Sequence, residues 1–300
     1  MGRQLGGTKK TLAGEIDKLP ELPEVETIRS ELEKLIPGKV FSCPVIHFPG
    51  TIENPAPEDF IVALEGKKVE KVTRRGKYLF INLDQGILVV HLRMTGNLIY
   101  SSDGCFTGER FLRLSLPFKD GSALHYADMR RFGRLWYVSS EKELEEIVLK
   151  NVGPDIYNEL DCEEFEKLLT KREKRGLKAL LLDQAFAAGM GNIYTDECLF
   201  RCGFNPNRQV YTLSKDERKN LYRSIRAVLE DGIAYGGTSF RDYRNAAGAL
   251  GDFQNKLAVY NRAGEKCTRC GAEIIKTVVA GRGTYYCPCC QPEPGQERKK

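Results

Sequence analysis

Cys267-Thr268-Arg269-Cys270 and Cys287-Pro288-Cys289-Cys290 are two C-x-x-C pairs with sixteen residues between them. Within that interval, residues 274–279, 280–283 and 284–286 read as strand, turn and strand, because β-branched and aromatic residues flank a glycine-bearing break. A hairpin of this length returns both pairs to its base, where four thiolates make the soft tetrahedral donor set that zinc prefers. Cys267, Cys270, Cys287 and Cys290 are therefore the expected ligands of one zinc ion. Four cysteines leave no open position for water, so the expected role of the metal is structural. Cys289 remains as a spare thiol expected to point away. The chain has ten cysteines, and the other five (Cys43, Cys105, Cys162, Cys198, Cys202) are scattered and read as small buried hydrophobes. Crowding of this kind points to a metal site in a reducing compartment rather than a disulfide framework.

Working outward from the hairpin, residues 236–255, from Gly236-Gly-Thr-Ser through Ala246-Ala-Gly-Ala-Leu-Gly-Asp252, are rich in Gly and Ala and read as a long mobile loop. Ahead of it, after Gly153-Pro154, helical spacing runs through 165–169, 177–186, 193–199 and 221–229. From about 39 to 138 the texture is short strands (77–83, 87–92, 111–116, 135–138) separated by Gly, Asp and Ser, which predicts a sandwich or barrel-like pair of sheets. Val25, Ile28, Leu32 and Leu35 repeat at helical spacing. Pro23 suits the first helical position, Glu24 and Glu26 suit the positive end of the dipole, and Pro37-Gly38 ends the run. The expected fold class is α+β and multidomain: a β-sandwich with a leading helix (20–150), a helical domain (151–260) and a zinc β-hairpin (261–291). A tail (1–19) precedes these and a polar tail (292–300) follows.

Composition narrows the function classes. Hydrophobic residues make up 41% and charged residues 29% of 300 positions, ordinary for a soluble globular protein. No apolar run approaches the roughly 18–20 residues of a membrane span, and the first residues lack the apolar core of a secretion signal. The cytoplasm is the expected address and no membrane partner is expected. A net charge of +5 permits nucleic-acid binding without demanding it. Cations recur at Arg74-Arg75-Gly76-Lys77, Arg130-Arg131, Lys171-Arg172, Lys174-Arg175, Arg241 and Arg244. Singly these are solvated surface; gathered by the fold they could track phosphates. The turn Ala187-Ala188-Gly189-Met190-Gly191-Asn192 sits between helical runs, with Asn192 as a candidate cap and a helix start that suits an anion. The simpler reading is a plain helix-to-helix connection. Arg282, in the hairpin turn, is by itself a solvated charge.

Taken together, seven ordered blocks resemble a formamidopyrimidine-DNA glycosylase over 20–291. They are Pro20-Glu-Leu-Pro-Glu-Val-Glu-Thr27, Arg74-Arg-Gly-Lys77-Tyr, His91-Leu-Arg-Met94-Thr-Gly, Asp128-Met-Arg130-Arg-Phe132-Gly, Leu181-Leu-Asp-Gln184, Gly191-Asn-Ile-Tyr194 and Gly281-Arg-Gly-Thr-Tyr-Tyr-Cys-Pro288. The first and last blocks resemble the purine-lesion branch rather than the endonuclease VIII branch. The resemblance implies a β-sandwich, a helix–two-turn–helix domain and a zinc hairpin around duplex DNA carrying an oxidised purine, with the target base flipped out of the stack. It also implies a monomeric glycosylase with strand-cutting (AP lyase) activity.

By the same resemblance Pro20 is the nucleophile, as a secondary N-terminal amine whose pKa near 8 leaves more free base at neutral pH than lysine would. Attack on C1′ gives an iminium, an electron sink for eliminating both phosphates. Glu21 matches the acid that protonates the opening sugar, Lys77 the β-elimination acid and Arg282 the δ-elimination acid. A guanidinium is a poor proton donor, so Arg282 is expected to grip the lesion phosphate. Met94, Arg130 and Phe132 match the residues that fill the vacated stack, with Arg130 facing the orphaned cytosine and Phe132 as wedge. Read without the resemblance, Met94 and Phe132 are ordinary core residues. Lys174, Lys178 and Asn192 resemble phosphate contacts. Two positions depart from the family: Asp252 stands where an aromatic is common, and Glu109 where a phosphate-contacting histidine is common.

The larger departure is at the start. In the family the proline follows the initiator methionine, whereas here residues 1–18 and Leu19 precede Pro20. A proline nitrogen inside an amide has no usable lone pair, so the chain as written cannot form the iminium. The readings are a misplaced start at Leu19, a processed tail, or a catalytically inactive lesion-binding protein. An oxidised-pyrimidine glycosylase of the endonuclease VIII type is the rival within the enzyme class.

Overall fold

Helix α1 (Leu22–Leu35) carries Pro23 in its first turn, and its buried stripe is Leu22, Val25, Ile28 and Leu32. The stripe ends on Ile36, which is fully buried, whereas Leu35, expected inside, is 39% exposed. The computed structural model of the chain describes residues 20–240 and 243–293. The tail at 1–19, Arg241 and the last seven residues of the polar tail lie outside the described residues, as does the side chain of Glu109.

The strand-rich stretch folds into two sheets. One has the order β1 (Val45–Ile46), β7 (Leu112–Pro117), β8 (Ala123–Asp128), β6 (Gly96–Ser101), antiparallel throughout. The other has the order β2 (Ile52–Asn54), β9 (Arg134–Val138), β5 (Ile87–His91), β4 (Tyr78–Leu83), β3 (Val69–Arg75), with only β2 and β9 parallel. Strand β5 is buried on both faces. Leu88 and Val90 join Leu98, Leu114, Leu124 and α1 in the core between the sheets. Ile87 and Val89 pack with Phe80, Trp136 and Leu144 on the other side. That outer side is closed by a short turn α3 (Glu141–Glu143) running into a π-helical turn at Leu144–Val148. Helix α2 (Pro57–Leu64), not foreseen in the strand-rich stretch, seats Phe60 and Leu64 in the sandwich core. Its Pro57-Glu58-Asp59 start is a legible helix signal.

The second half is helical: α4 (Cys162–Thr170), α5 (Leu177–Leu181), α6 (Asn192–Cys202) and α7 (Lys215–Ala234). Capping boxes at Asp161/Glu164 and Ser214/Glu217 start α4 and α7. Helix α5 stops well short of residue 186, because Asp183 folds back to accept the Ala185 N–H at 3.0 Å. The hairpin is β10 (Ile275–Val279) and β11 (Arg282–Tyr286). Its two-residue turn Ala280-Gly281 has φ of 52° and 72°, the left-handed pair of a twisted hairpin. Arg282 therefore opens β11 rather than sitting in the turn. Of the scattered cysteines only Cys198 and Cys202 are buried; Cys162 is half-buried, and Cys43 and Cys105 are exposed, which corrects the expectation for those three.

Helices and hairpin share one core, and it includes Leu22 from α1. Conversely Tyr243 and Ala246, from the stretch read as a loop, pack in the sandwich core. The two cores thus exchange residues. Burying a leucine contributes roughly 2 kcal/mol, and here it fastens the start of α1, with Pro20 and Glu21, at the seam between them.

Candidate active site and nucleic-acid interface

The first N–H groups of α6 lack partners within the helix, and Asn192 was the expected cap. Glu21 supplies the cap instead. The Ile193 N–H donates to Glu21 Oε1 at 2.9 Å and the Tyr194 N–H to Oε2 at 3.3 Å. The anion at this helix start is the protein's own carboxylate. Asn192 is the first helical residue and its Nδ2 donates to the Gly283 carbonyl at 2.8 Å. The glycine-rich turn is what permits the approach. A Cβ on Gly191 would stand 2.2 Å from Glu21 Cδ, and Gly189, at φ 127°, would carry one 2.4 Å from Leu22 Cδ1. Pro20 is buried directly before Glu21.

Glu21 is 2% exposed, and burial pushes its carboxyl up to about 7, aided by Glu24 and opposed by Lys77 and the two helix N–H groups. Glu24, which the sequence reading missed as a site residue, accepts the Glu21 N–H at 2.8 Å, the Tyr194 hydroxyl at 2.7 Å and the Thr238 N–H at 2.6 Å. Burial raises it too, against those bonds. Its signal was the Glu-x-x-Glu spacing at a helix start. Burial lowers Lys77, against the pull of Glu21 and Glu24 and with the push of Arg282. Glu21, Lys77 and Arg282 thus share one electrostatic field although they come from three separate elements.

Lys77 lies in the two-residue turn between Arg75 and Tyr78, after Gly76 at φ 57°. A Cβ on Gly76 would meet Ala188 Cβ at 2.6 Å. Arg74, read as a groove cation, is sealed. It donates to Glu26 at 2.8 Å, to the Gly76 carbonyl at 2.9 Å and to Asp155, which also accepts the Gly76 N–H at 2.5 Å. Arg75 pairs with Glu145 at 2.8 Å and Glu159 at 3.3 Å. Lys77, His91, Arg93 and Lys150 line a cavity of about 380 Å³ with no carboxylate among its described lining residues. Burial, with Arg93 and Lys77 adding to it, pushes His91 down to about 3 and keeps it neutral.

Met94, Phe132 and Arg282 line one cleft of about 480 Å³. Arg130, exposed beside it, holds its guanidinium 4.9 Å from the Phe132 ring centroid. Met94 is half-buried and Phe132 is 46% exposed, which is not core packing. Buried Asp128 organises both loops: it accepts the Thr95 hydroxyl, the Arg130 N–H at 3.1 Å and the Gly133 N–H at 2.8 Å. The Thr95 hydroxyl in turn accepts the Arg130 N–H at 2.9 Å. Arg93 and Arg131, beside Met94 and Phe132, have φ of 53° and 60°, a strained region for arginine. Lys174 is exposed in the turn after α4 and makes no hydrogen bond or ion pair with these groups among the described residues. Lys178, read as a phosphate contact, is fully buried. It donates to Asp196 at 2.6 Å and to the Thr284 hydroxyl at 2.7 Å.

At the base of the hairpin the Sγ atoms of Cys267, Cys270, Cys287 and Cys290 all lie within 4.8 Å of one another. The Cys267–Cys290 and Cys270–Cys287 separations are 3.9 and 3.5 Å. They bracket the roughly 3.8 Å edge of a tetrahedron with Zn–S bonds near 2.3 Å and are far too long for disulfides. The donors fit one structural zinc ion, and Cys289 is not in the set.

Three family profiles match the chain: the formamidopyrimidine-DNA glycosylase N-terminal domain over 19–135, the H2TH domain of the same family over 152–244, and the zinc finger found in FPG and IleRS over 264–292. A formamidopyrimidine-DNA glycosylase of Pelotomaculum thermopropionicum is 44% identical, covering 91% of this chain and 99% of that protein. One of Desulfitobacterium hafniense is 43% identical, covering 91% and 100%. Among solved structures, Lactococcus lactis Fpg bound to abasic-site DNA superimposes with a TM-score of 0.82 at 38% identity, covering 91% of this chain and 100% of that one. No helix among the described residues is long and apolar enough to cross a membrane. With the sandwich, the helical domain, the four-cysteine hairpin and the sequence agreeing along its length, the chain belongs to the formamidopyrimidine-DNA glycosylase family of base-excision repair.

Proposed function

We propose that this protein is a bifunctional glycosylase and AP lyase that excises oxidised purines, such as 8-oxoguanine and formamidopyrimidines, from duplex DNA as a monomer, using the amine of Pro20 as nucleophile. The observation that carries the reading is the buried Glu21 carboxyl, raised to about 7 directly beside Pro20. The Pro20 nitrogen forms a bond to C1′ as the glycosidic bond breaks and the base leaves. Glu21 delivers a proton to the ring oxygen as the sugar opens. The iminium then acidifies the C2′–H bond: its proton passes to the carboxylate that Glu21 has become, its electron pair expels the 3′-phosphate, and loss of a second proton, from C4′ to solvent, expels the 5′-phosphate. Lys77 serves the first elimination, and Arg282 grips the phosphate bidentately for the second. Met94, Arg130 and Phe132 fill the vacated stack, while Lys174 and the second amide N–H of Asn192 contact phosphates. A lesion reader without catalysis is the second reading, favoured by the amide bond from Leu19 to Pro20 in the sequence as written.

Borohydride trapping tests the proposal. A chain translated as Met-Pro20 and trimmed of its methionine should be trapped on a duplex with 8-oxoguanine opposite cytosine, with the adduct on Pro20 by mass spectrometry. Equal excision and nicking by the uncut 300-residue chain would remove the free-proline mechanism. Faster release of oxidised pyrimidines than of oxidised purines would move the protein to the endonuclease VIII branch.

A further inference from the structure

Zinc clamps the hairpin at its base, but Arg282 is five residues away from Cys287 along β11. At about 3.4 Å per strand residue that is on the order of 17 Å. A two-stranded ribbon of this length is too weak to hold its own tip still, and its outer face is bare, with Val278 69% exposed. The inner face is tied at three consecutive residues. Asn192 Nδ2 donates to the Gly283 carbonyl at 2.8 Å, Lys178 Nζ donates to the Thr284 hydroxyl at 2.7 Å, and the Tyr285 N–H donates to Asp196 Oδ2 at 2.8 Å. The Thr284 hydroxyl passes the contact on, donating to the Arg282 carbonyl at 2.9 Å. Two of the three ties depend on the Lys178–Asp196 ion pair, whose side chains are 0% and 1% exposed. Asp196 stands one turn along α6 from the N–H groups that Glu21 caps.

We infer that Asp196 is a positioning residue: through Lys178, Thr284 and the Tyr285 N–H it sets Arg282 relative to Glu21 before DNA arrives, a task the zinc ion cannot perform from the far end of the hairpin. The inference rests on Arg282 gripping the lesion phosphate. A carboxylate suits the task because it alone can accept from an ammonium on one oxygen and a backbone N–H on the other. Asparagine offers one acceptor and turns a donor toward one of the two. Losing the pair's charge balance leaves Lys178 buried and uncompensated, which frees the strand without touching the cysteines.

The experiment measures affinity of the zinc-loaded 300-residue chain for a duplex carrying a tetrahydrofuran abasic analogue against the undamaged duplex. Zinc content and hydrogen exchange of the β11 amides are followed alongside. Arg282→Ala should lose about tenfold or more of the preference for the analogue, as expected for a charged hydrogen bond. Asp196→Asn should lose a similar factor, keep one zinc per chain and exchange faster at residues 283–285. The double variant should be no worse than Arg282→Ala by more than about twofold, since a misplaced arginine and a missing one are equivalent. Full additivity, or Asp196→Asn with wild-type preference and wild-type exchange, overturns the inference. If Arg282→Ala keeps the preference, the phosphate grip is what fails, and the exchange of β11 still decides whether Asp196 places the strand. Should Asp196→Asn not fold, Thr284→Val decides: it removes only the hydroxyl link, and about a threefold loss with zinc retained is expected, against no loss if the link is idle.

Discussion

Glu21 is 2% exposed and Phe132 is 46% exposed, although both belong to the candidate site. Around Glu21 everything is fixed: two helix N–H groups bind its carboxylate, Glu24 takes its own N–H, and Gly191 leaves no space beyond it. Around Phe132 only the backbone is fixed. Asp128 and Thr95 hold the loop, Arg130 lies against one face of the ring, and the remainder faces the cleft. A carboxyl donates a proton at neutral pH only when a low-dielectric surrounding raises its pKa, which requires burial. A wedge enters a base stack only if its apolar ring waits in water, which requires exposure. One half of the site is therefore preorganised by packing and the other by backbone hydrogen bonds.

The contrast breaks most easily on the buried side. Glu21→Gln should lower single-turnover excision by roughly 10²–10⁴-fold while leaving affinity for abasic-analogue duplex within about threefold. Excision by the wild type should follow a bell, rising as the Pro20 amine loses its proton towards about pH 8 and falling at higher pH because Glu21, at about 7, has lost its own, and the variant should lack the falling limb. Stability follows the same sign. The folded-state pKa lies above the ordinary 4.5, so stability is fully present below about 4.5 and falls as pH rises through about 7. The loss is up to about 3 kcal/mol, and urea midpoints of wild type and Glu21→Gln at pH 4 and pH 8 should show the wild type losing ground. Excision by the variant within tenfold of wild type would sink the proton-donor role.

A smaller effect separates the hairpin from the wedge. Cys287→Ser should drop bound zinc from about one per chain to near none, with about a tenfold loss in preference for lesion duplex as the hairpin base opens and β11 loses the frame on which the Lys178 and Asp196 ties act. Affinity for undamaged duplex should change far less, because the loop that carries Arg130 and Phe132 hangs on Asp128 rather than on the metal. Metal analysis and paired titrations check this, and an unchanged zinc content would refute the ligand assignment. The mildest change sharpens the exposed side. Phe132→Ala should weaken lesion-duplex binding by about tenfold, within the few kcal/mol of an unstacked step, without altering the pH profile. Arg130→Ala should cost about threefold, confined to cytosine opposite the lesion. Equal losses opposite every base would reduce Arg130 to a general cation.

Much of this was local and therefore readable along the chain. Ligand spacing fixes the four zinc cysteines because a knuckle is a matter of a few residues. Helix α1 and the short strands follow from periodicity, and the ordered blocks brought Pro20, Glu21, Lys77 and Arg282 forward by resemblance. The early stop of α5 and the start of α2 are also written locally, in Asp183 and in Pro57-Glu58-Asp59, where turn chemistry prevails over hydrophobic spacing. What the one-dimensional pattern could not contain is who faces whom. Arg74 and Lys178 look like surface cations until Asp155, 81 residues on, and Asp196, 18 residues on, close over them. Asn192 looks like a cap until Glu21 arrives from 172 residues before Ile193, whose N–H it takes. The cost of a charge depends on its solvent and its partner, and only the folded chain supplies either, so the zinc site was a property of the sequence and the raised Glu21 a property of the fold.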